Sequence, residues 1–168
     1  WLHSWAAGVV ARQCQRAGAA VVYISTCGLF GDEVKFNSEY DTVSLKTKYA
    51  RSKYLGEQET LRACERSYVI RPGWLFGGSP THGRNFVYQR YLEAKDTPVM
   101  RSASDKFGTP TSTEDLSHAI LNVLESEQYG LYHVTNSGSA SRHDYVSCIV
   151  GAFGLDTLVE PVDSSAFP

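Results

Sequence analysis

Short apolar runs alternate with longer amphipathic stretches along this chain. Residues 19–25 and 67–71 are runs of apolar, largely β-branched residues, and runs of this length predict buried strands. Residues 2–17 repeat their apolar positions at helical spacing, and we expect a further helix at about 45–65. Because helices and strands alternate, the pattern predicts an α/β fold in which helices layer a largely parallel sheet.

The rest of the chain continues this alternation. Asn85 is placed to cap a helix that reaches about Lys95, and Ser141 with Asp144 opens the last clear helix. A capping-box pattern at 111–114 starts another helix. We predict strands at 98–101 and 131–134, loops at 74–84 and 105–111, and an extended tail from 158 onward.

Tyr49 and Lys53 are four residues apart within a predicted helix, so their side chains share one helix face. A tyrosine normally keeps its proton up to about pH 10. A nearby lysine ammonium favours the phenolate. Such a pair can transfer a proton to or from a substrate oxygen near neutral pH, which makes both residues candidates for catalysis.

Chain context distinguishes this pair from a second one with the same spacing. The strand predicted at 19–25 delivers Ser25 and Thr26 at its carboxyl end, where ligands bind in open α/β sheets. No strand that ends in hydroxyl residues precedes the second pair, Tyr91 and Lys95, which we interpret as an exposed helix face. On spacing alone, an inert helix face stays an open alternative for the first pair as well.

Composition narrows the class of protein. The 168 residues include 42% hydrophobic and 20% charged residues, and the net charge is -2, which is ordinary for a globular protein and offers no basic surface for nucleic acid. No apolar run is long enough to span a membrane, and we expect no signal peptide because the first residues have neither a basic segment nor a cleavage site. The four cysteines fit no metal motif and predict free thiols in a reducing cytoplasm. We therefore expect a cytoplasmic protein without a metal, nucleic-acid or membrane partner.

Several ordered motifs resemble one family, the extended short-chain dehydrogenase/reductases, and within it the dTDP-4-dehydrorhamnose reductases. The strand that ends in Ser25-Thr26 and the helix with Tyr49, Lys53 and Glu57 are similar to the family's catalytic elements. The other matching motifs are Arg71-Pro72-Gly73-Trp74, Gly83-x-Asn85-Phe86, Asp105-x-x-Gly108-x-Pro110-Thr111, Asp115-Leu116, and Gly130-x-Tyr132-His133 followed by Ser141.

The resemblance implies a role for each candidate site residue. Tyr49 would give its proton to the oxygen of a nucleotide-linked 4-keto sugar, and Thr26 would bind that oxygen. Lys53 would hold the nicotinamide ribose, so Tyr49 and Lys53 would form the cofactor side of the site. Thr26, Cys27 and Trp74 would line the substrate side. The implied cofactor is NADPH or NADH, and a homodimer is consistent with the family.

Two features depart from the family pattern. The family has Asp-Tyr after Ser-Thr, whereas this chain has Cys27 and Gly28, which puts the family's sugar specificity in doubt. We interpret Cys27 most simply as a small filling residue, with a redox-sensitive thiol as the alternative. The chain also lacks the glycine-rich turn that binds the cofactor pyrophosphate, so we expect the chain alone to bind NAD(P)H poorly.

The expected organisation is a single, partial Rossmann-like domain over residues 1–168. The catalytic core would cover about 1–101, and a small substrate-side lobe would cover about 102–168. The expected function is a NAD(P)H-dependent reductase of a nucleotide-linked 4-keto-6-deoxy sugar. Two alternatives stay open at this point: a non-catalytic protein resembling the regulatory subunit of methionine adenosyltransferase, and an inactive fragment.

Overall fold

A computed structural model of the chain describes residues 3–80 and 82–167. These residues divide into two compact units, and each unit is built from two separate stretches of the chain. The first unit contains the residues up to Gly73 together with Leu116–Thr135. The second unit contains Trp74–Asp115 together with the residues from Asn136 onward. The expected functional division into a catalytic core and a substrate-side lobe stays a prediction.

Five α-helices and nine strands are found within the described residues. The helices are α1 (Trp5–Arg16), α2 (Lys48–Ala63), α3 (Phe86–Asp96), α4 (Thr113–Glu125) and α5 (Arg142–Ala152). The strands are β1 (Val21–Ile24), β2 (Ser67–Pro72), β3 (Trp74–Phe76), β4 (Val99–Ala103), β5 (Phe107–Gly108), β6 (Pro110–Ser112), β7 (Gly130–Val134), β8 (Ala140–Ser141) and β9 (Leu158–Val162). None of these helices is long and apolar enough to cross a membrane.

The first unit is organised around a three-stranded parallel sheet in the order β1-β2-β7. The central strand β2 is buried along its whole length, which explains why its sequence is an unbroken run without alternation. Its apolar residues supply the core, and Val69 and Ile70 are fully buried. The α/β fold with parallel strand pairing that the sequence predicted is confirmed here.

Alternate residues of the sheet face different helices, because successive side chains of a strand point to opposite faces. Tyr68 and Ile70 pack with Leu116 and the apolar stripe of α4 on one face. On the other face, Arg71 reaches α2, and Ser25 at the end of β1 reaches the same helix. This alternation decides which polar side chains meet beneath the predicted site.

The second unit contains three short strand pairs and two helices. Strands β3 and β6 pair in parallel, as do β4 and β9, whereas β5 and β8 pair antiparallel. Met100 on β4, Ala94 on α3 and Val146 and Val150 on α5 form its buried cluster. Asn85 caps α3, and Ser141 with Asp144 forms a complete capping box on α5, so both predicted caps are confirmed.

Two predicted loops contain strands, and one predicted cap is displaced by a residue. Residues 74–76 form β3, and residues 107–108 and 110–112 form β5 and β6, so an uninterrupted loop at 74–84 and at 105–111 is wrong. The Thr111 hydroxyl donates to the Thr109 carbonyl, and Ser112 instead accepts from the Asp115 N–H at the start of α4. Strands of two or three residues owe their form to a distant partner, which local pattern does not reveal.

Candidate active site

Helix α2 carries the predicted proton donor and lysine one turn apart. The Thr47 side chain accepts a hydrogen bond from the Ala50 N–H at 3.0 Å, which caps the helix just before Tyr49. Tyr49 is 53% exposed, whereas Lys53 is only 7% exposed. The phenol is therefore accessible to a ligand, and the lysine one turn further on lies against the sheet.

The Lys53 ammonium lies at the carboxyl end of β1. Nζ donates to the Ile24 carbonyl oxygen at 2.5 Å and lies 4.7 Å from the centre of the Tyr23 ring. Burial lowers the pKa of Lys53, and the nearby Glu57 carboxylate opposes that shift. The helix thus brings Lys53 to the strand end where the sequence placed the site.

The residues after β1 turn in different directions. Ser25 is buried and donates to Glu57, whereas Thr26 is half-buried and its Oγ1 accepts a hydrogen bond from the Gly28 N–H at 3.0 Å. A hydroxyl that accepts one bond still has a proton to donate. Within the described residues, Thr26 therefore keeps a donor for a ligand oxygen, while Ser25 is committed to the interior.

Cys27 is held by the neighbouring strand. Its N–H donates to the Pro72 carbonyl at 2.9 Å, and its Sγ lies 3.2 Å from the Arg71 carbonyl oxygen. Burial raises the pKa of Cys27 to about 11, although Arg71 opposes this shift. The group is therefore a protonated thiol at neutral pH, and thiols react as thiolates. These contacts favour a filling role over a redox-sensitive one.

A buried polar network beneath these residues was not predicted from the sequence. The Glu57 carboxylate accepts two bonds from the Arg71 guanidinium, at 2.8 Å and 2.6 Å, and a third from the Ser25 hydroxyl. Glu57 lies one turn after Lys53 on α2, and Arg71 is on the central strand. Part of this network had a signal in the sequence, since an Arg within an apolar strand needs a partner for its charge when it is buried.

The network continues to the edge strand β7 through His133. Arg71 Nη1 lies 3.4 Å from His133 Nε2, and His133 Nδ1 lies 3.2 Å from the Asn37 carbonyl oxygen. Because arginine only donates and a carbonyl only accepts, these partners assign a neutral imidazole with its proton on Nδ1. The backbone N–H of His133 also donates to Glu39 at 2.7 Å. These contacts are those of a structural, hydrogen-bonded histidine.

Trp74, the predicted substrate platform, lies in the second unit. The Arg142 guanidinium carbon is 3.7 Å from the centre of its ring system. A Cβ atom on Gly108 would lie 2.2–2.7 Å from three ring atoms of Trp74, so the glycine backbone is pressed against the indole. Trp74 is half-buried and already has two close neighbours, and its substrate role stays a prediction.

The second Tyr-x-x-x-Lys pair differs from the first in burial. Tyr91 and Lys95 do lie on a helix, α3, and Lys95 is exposed with its Nζ 5.5 Å from the Tyr91 ring centre. Tyr91 itself is half-buried, because its ring packs 4.5 Å from that of Phe153. The pair is thus only partly the exposed face that the sequence predicted. Its lysine makes no contact with a strand end comparable to that of Lys53.

The surroundings of Lys53 test whether the chain fits the nicotinamide cofactor that the family resemblance implies. An ammonium has three N–H donors, and here one is used by Ile24. No carboxylate in the described part of the chain pairs with Lys53, because Glu57 is occupied by Ser25 and Arg71. Lys53 therefore retains donors for the hydroxyl groups of a ribose, which fits such a cofactor.

Comparison with known proteins identifies the family. The model of the RmlD substrate binding domain matches residues 2–168, so the chain belongs to this family. The α/β fold and the resemblance to extended short-chain dehydrogenase/reductases of the dTDP-4-dehydrorhamnose reductase type are thereby confirmed.

Three relatives illustrate the similarity. The spore coat polysaccharide biosynthesis protein SpsK of Bacillus subtilis is 34% identical over 158 residues, which cover 94% of this chain and 54% of that protein. The dTDP-4-dehydrorhamnose reductase of Mycobacterium tuberculosis is 31% identical over 166 residues, which cover 95% of this chain and 54% of the reductase. The crystal structure of dTDP-4-dehydrorhamnose reductase from Bacillus anthracis in complex with NADP matches with a TM-score of 0.92 and 31% identity, covering 98% of this chain and 58% of that one.

The chain spans about half the length of the curated relatives that it matches. The family assignment therefore applies to these residues. The activity, substrate and partners of the whole protein are proposals.

Proposed function

We propose that this protein is a NAD(P)H-dependent reductase of a nucleotide-linked 4-keto-6-deoxy sugar, similar to dTDP-4-dehydrorhamnose reductase. The main observation is the pairing on α2 of an exposed phenol, Tyr49, with a buried ammonium, Lys53, that has no acid partner among the described residues. A reductase of this family with NADP bound supports the choice of cofactor.

The proposed chemistry divides between the cofactor and the chain. When bound, the nicotinamide supplies a hydride to the carbonyl carbon of the sugar. Tyr49 gives its phenolic proton to the carbonyl oxygen, which becomes a hydroxyl. The positive charge of Lys53 stabilises the phenolate that remains, and its free N–H donors hold the ribose. The Thr26 hydroxyl donates a hydrogen bond to the same carbonyl oxygen and so orients it, keeping its own proton.

Cys27 and Trp74 are proposed to line the substrate side. Cys27 follows Thr26 directly, and its thiol is uncharged at neutral pH. Trp74 offers the rim of its indole to the sugar, since Arg142 and Gly108 pack against the ring. Trp74→Ala should raise KM for the sugar nucleotide more than KM for the cofactor. An equal rise in both would contradict a substrate role.

The alternatives are not favoured. Curated relatives carry the name dTDP-4-dehydrorhamnose reductase, and the tyrosine, lysine and threonine of the predicted site are all present with groups free to act. A homodimer stays a prediction.

An assay of the purified, intact protein tests the proposal. NADPH or NADH is mixed with a dTDP-linked 4-keto-6-deoxy sugar, and oxidation of the nicotinamide is followed by its absorbance. We expect oxidation that depends on the sugar nucleotide, with a 6-deoxyhexose nucleotide as product. A folded protein that binds the nucleotide sugar but oxidises neither cofactor would favour a non-catalytic role.

A further inference from the structure

Tyr23 contacts the catalytic helix at three points, although no sequence motif marks it. Its ring centre lies 4.7 Å from Lys53 Nζ, and its hydroxyl lies 3.3 Å from the Lys53 carbonyl oxygen. The third contact is with Gly56, one turn further along α2. Tyr23 precedes Ser25 by two positions, so both side chains lie on the sheet face that packs on this helix.

Gly56 allows this close approach. A Cβ atom at position 56 would lie 2.2 Å from the Tyr23 hydroxyl oxygen and 1.9 Å from the His3 carbonyl oxygen. Any side chain here would push the phenol away from the helix. Despite the glycine, α2 runs unbroken from Lys48 to Ala63, because Tyr23 and the segment before α1 fill the space that a side chain would take.

The phenol of Tyr23 is anchored at its far end as well. Its hydroxyl lies 2.7 Å from the His3 carbonyl oxygen, which is the shorter of its two contacts with backbone acceptors. The His3 ring in turn meets the Tyr49 ring edge to face, with the ring centres 6.0 Å apart. Tyr23 therefore contacts Lys53 directly and is connected to Tyr49 through a single residue.

These contacts restrict where the Lys53 ammonium can be. Lysine has a flexible four-carbon stem, so a fixed position needs partners at its end. The Ile24 carbonyl takes one N–H, and the Tyr23 ring face attracts the cation from a second side. The N–H donors that Ile24 does not use are left for a ligand at the carboxyl end of β1.

We propose that Tyr23 is a positioning residue, which holds the Lys53 ammonium in the place where it binds the ribose of the nicotinamide cofactor. This inference rests on the proposed reductase function. Tyr23 touches neither substrate nor cofactor in this scheme, and it acts only through Lys53. The ring supplies the electrostatic contact, and the hydroxyl fixes the ring against the helix.

Substitutions that separate the ring from the hydroxyl test this role in the intact protein. Tyr23→Leu removes the ring, whereas Tyr23→Phe keeps it. We expect Tyr23→Leu to weaken NADPH binding about tenfold, measured as Kd by titration of nicotinamide fluorescence, because an ammonium no longer held by the ring must be ordered when the ribose binds. KM for NADPH should rise in parallel, while KM for the sugar nucleotide stays unchanged. Tyr23→Phe keeps the ring and should retain most of the affinity that the natural protein has for NADPH.

The chain provides a matched control in Tyr91, whose ring also carries a lysine, Lys95. Tyr91→Leu should leave the Kd for NADPH unchanged. Should Tyr23→Leu fail to fold, pentafluorophenylalanine at position 23 retains the ring shape but removes its attraction for a cation. That substitution should weaken NADPH binding as Tyr23→Leu does.

Two outcomes separate failure of this inference from failure of the proposed function. A folded Tyr23→Leu or fluorinated variant with unchanged Kd for NADPH overturns the positioning role, as does an equal rise in KM for cofactor and sugar. A Lys53→Met variant that binds NADPH as the natural protein does would instead overturn the cofactor site itself.

Discussion

Glu57 and Arg71 form a bidentate ion pair in the interior of the first unit. Their side chains are only 1% and 4% exposed, and the shorter of their two contacts is 2.6 Å. Glu57 is on the helix that carries Tyr49 and Lys53, and Arg71 is on the central strand. The pair therefore fixes α2 in both position and rotation against the sheet.

Breaking this pair should be costly. Removing one partner leaves the other charge buried and unpaired, so we expect Glu57→Ala to lower the free energy of unfolding by about 3–5 kcal/mol. Replacing both residues, as Glu57→Leu with Arg71→Met, should cost less than the sum of the single substitutions. Urea unfolding of the natural protein, Glu57→Ala, Glu57→Leu, Arg71→Met and the Glu57→Leu/Arg71→Met double variant measures both quantities. Strict additivity would show that the two groups do not depend on each other.

A solvent-exposed ion pair serves as the comparison for the effect of the buried pair on stability. Glu33 and Lys35 are 3.0 Å apart but lie 71% and 45% exposed. Glu33→Ala should leave the free energy of unfolding nearly unchanged, since water screens such pairs.

Loss of the Tyr49 hydroxyl should abolish most of the activity. Tyr49→Phe removes the proton donor but keeps the ring against His3, so kcat should fall by about 10²-fold or more while the protein stays folded. Tyr91→Phe, which alters the other Tyr-x-x-x-Lys pair, should have almost no effect. Steady-state kinetics measures the effect on kcat, and circular dichroism checks that each variant is folded. A fully active Tyr49→Phe protein would remove Tyr49 from the mechanism.

Two helical glycines should respond oppositely to alanine. Gly56→Ala places a methyl group against Tyr23 and the His3 carbonyl, so we expect a loss of about 1–3 kcal/mol in the free energy of unfolding. Gly151 lies in α5 with nothing within 4 Å of a built Cβ, and Gly151→Ala should stabilise by about 0.5–1 kcal/mol. Thermal unfolding compares the two, and a stabilising Gly56→Ala would show that α2 does not approach β1 this closely.

Stability should decline in mild acid because of His133. Burial lowers the pKa of His133, and Arg71 adds to this, although Glu39 opposes it. As pH falls below about 6.5, the unfolded chain therefore takes up a proton before the folded protein does. The free energy of unfolding therefore decreases as the pH is lowered from the pKa of His133 in the unfolded chain to its pKa in the folded protein. Protonation would also place an N–H on Nε2 against the Arg71 donor.

Glu39 continues the decline at lower pH. The N–H of His133 holds the pKa of Glu39 below its usual range. Its stabilising contribution is present above about pH 4.3, the unfolded value, and is lost as pH falls through the folded one. Urea unfolding from about pH 7 to about pH 5 should show a flatter profile for His133→Gln than for the natural protein. His118→Gln, exposed on α4, serves as the control, and parallel profiles for all three proteins would contradict the prediction.

Local sequence pattern was sufficient to predict the long helices and strands and to indicate candidate site residues. Helix α2, the buried strand β2 and the caps at Asn85 and Ser141 follow from periodicity and side-chain chemistry within a few residues. The spacing of Tyr49 and Lys53 and the position of Thr26 after a predicted strand made these residues candidates, whereas their roles came from the family resemblance and stay predictions. These features need no knowledge of distant contacts.

The missed features all depend on partners far along the chain. The pairing of β3 with β6 joins residues that no local signal connects. No local signal singles out Tyr23, which lies in an apolar strand, or Gly56, which lies within a helix. Their meeting depends on the way α2 packs on β1, which side-chain pattern alone does not specify. The same holds for Glu57, Arg71 and Ser25, whose burial together is a property of the assembled sheet.

The interleaved chain path of the two units has a consequence for synthesis on the ribosome. Strand β2 acquires its neighbour β7 only after the first stretch of the second unit has been made, and β4 must wait for β9, where Val99 meets Leu158. Neither hydrophobic cluster can close early in translation, because Leu116 completes the first and Val146 and Val150 complete the second. Strand β2 therefore has β1 as a neighbour but lacks β7 while residues 73–129 are made, and an apolar strand with one open edge is prone to aggregate during that interval.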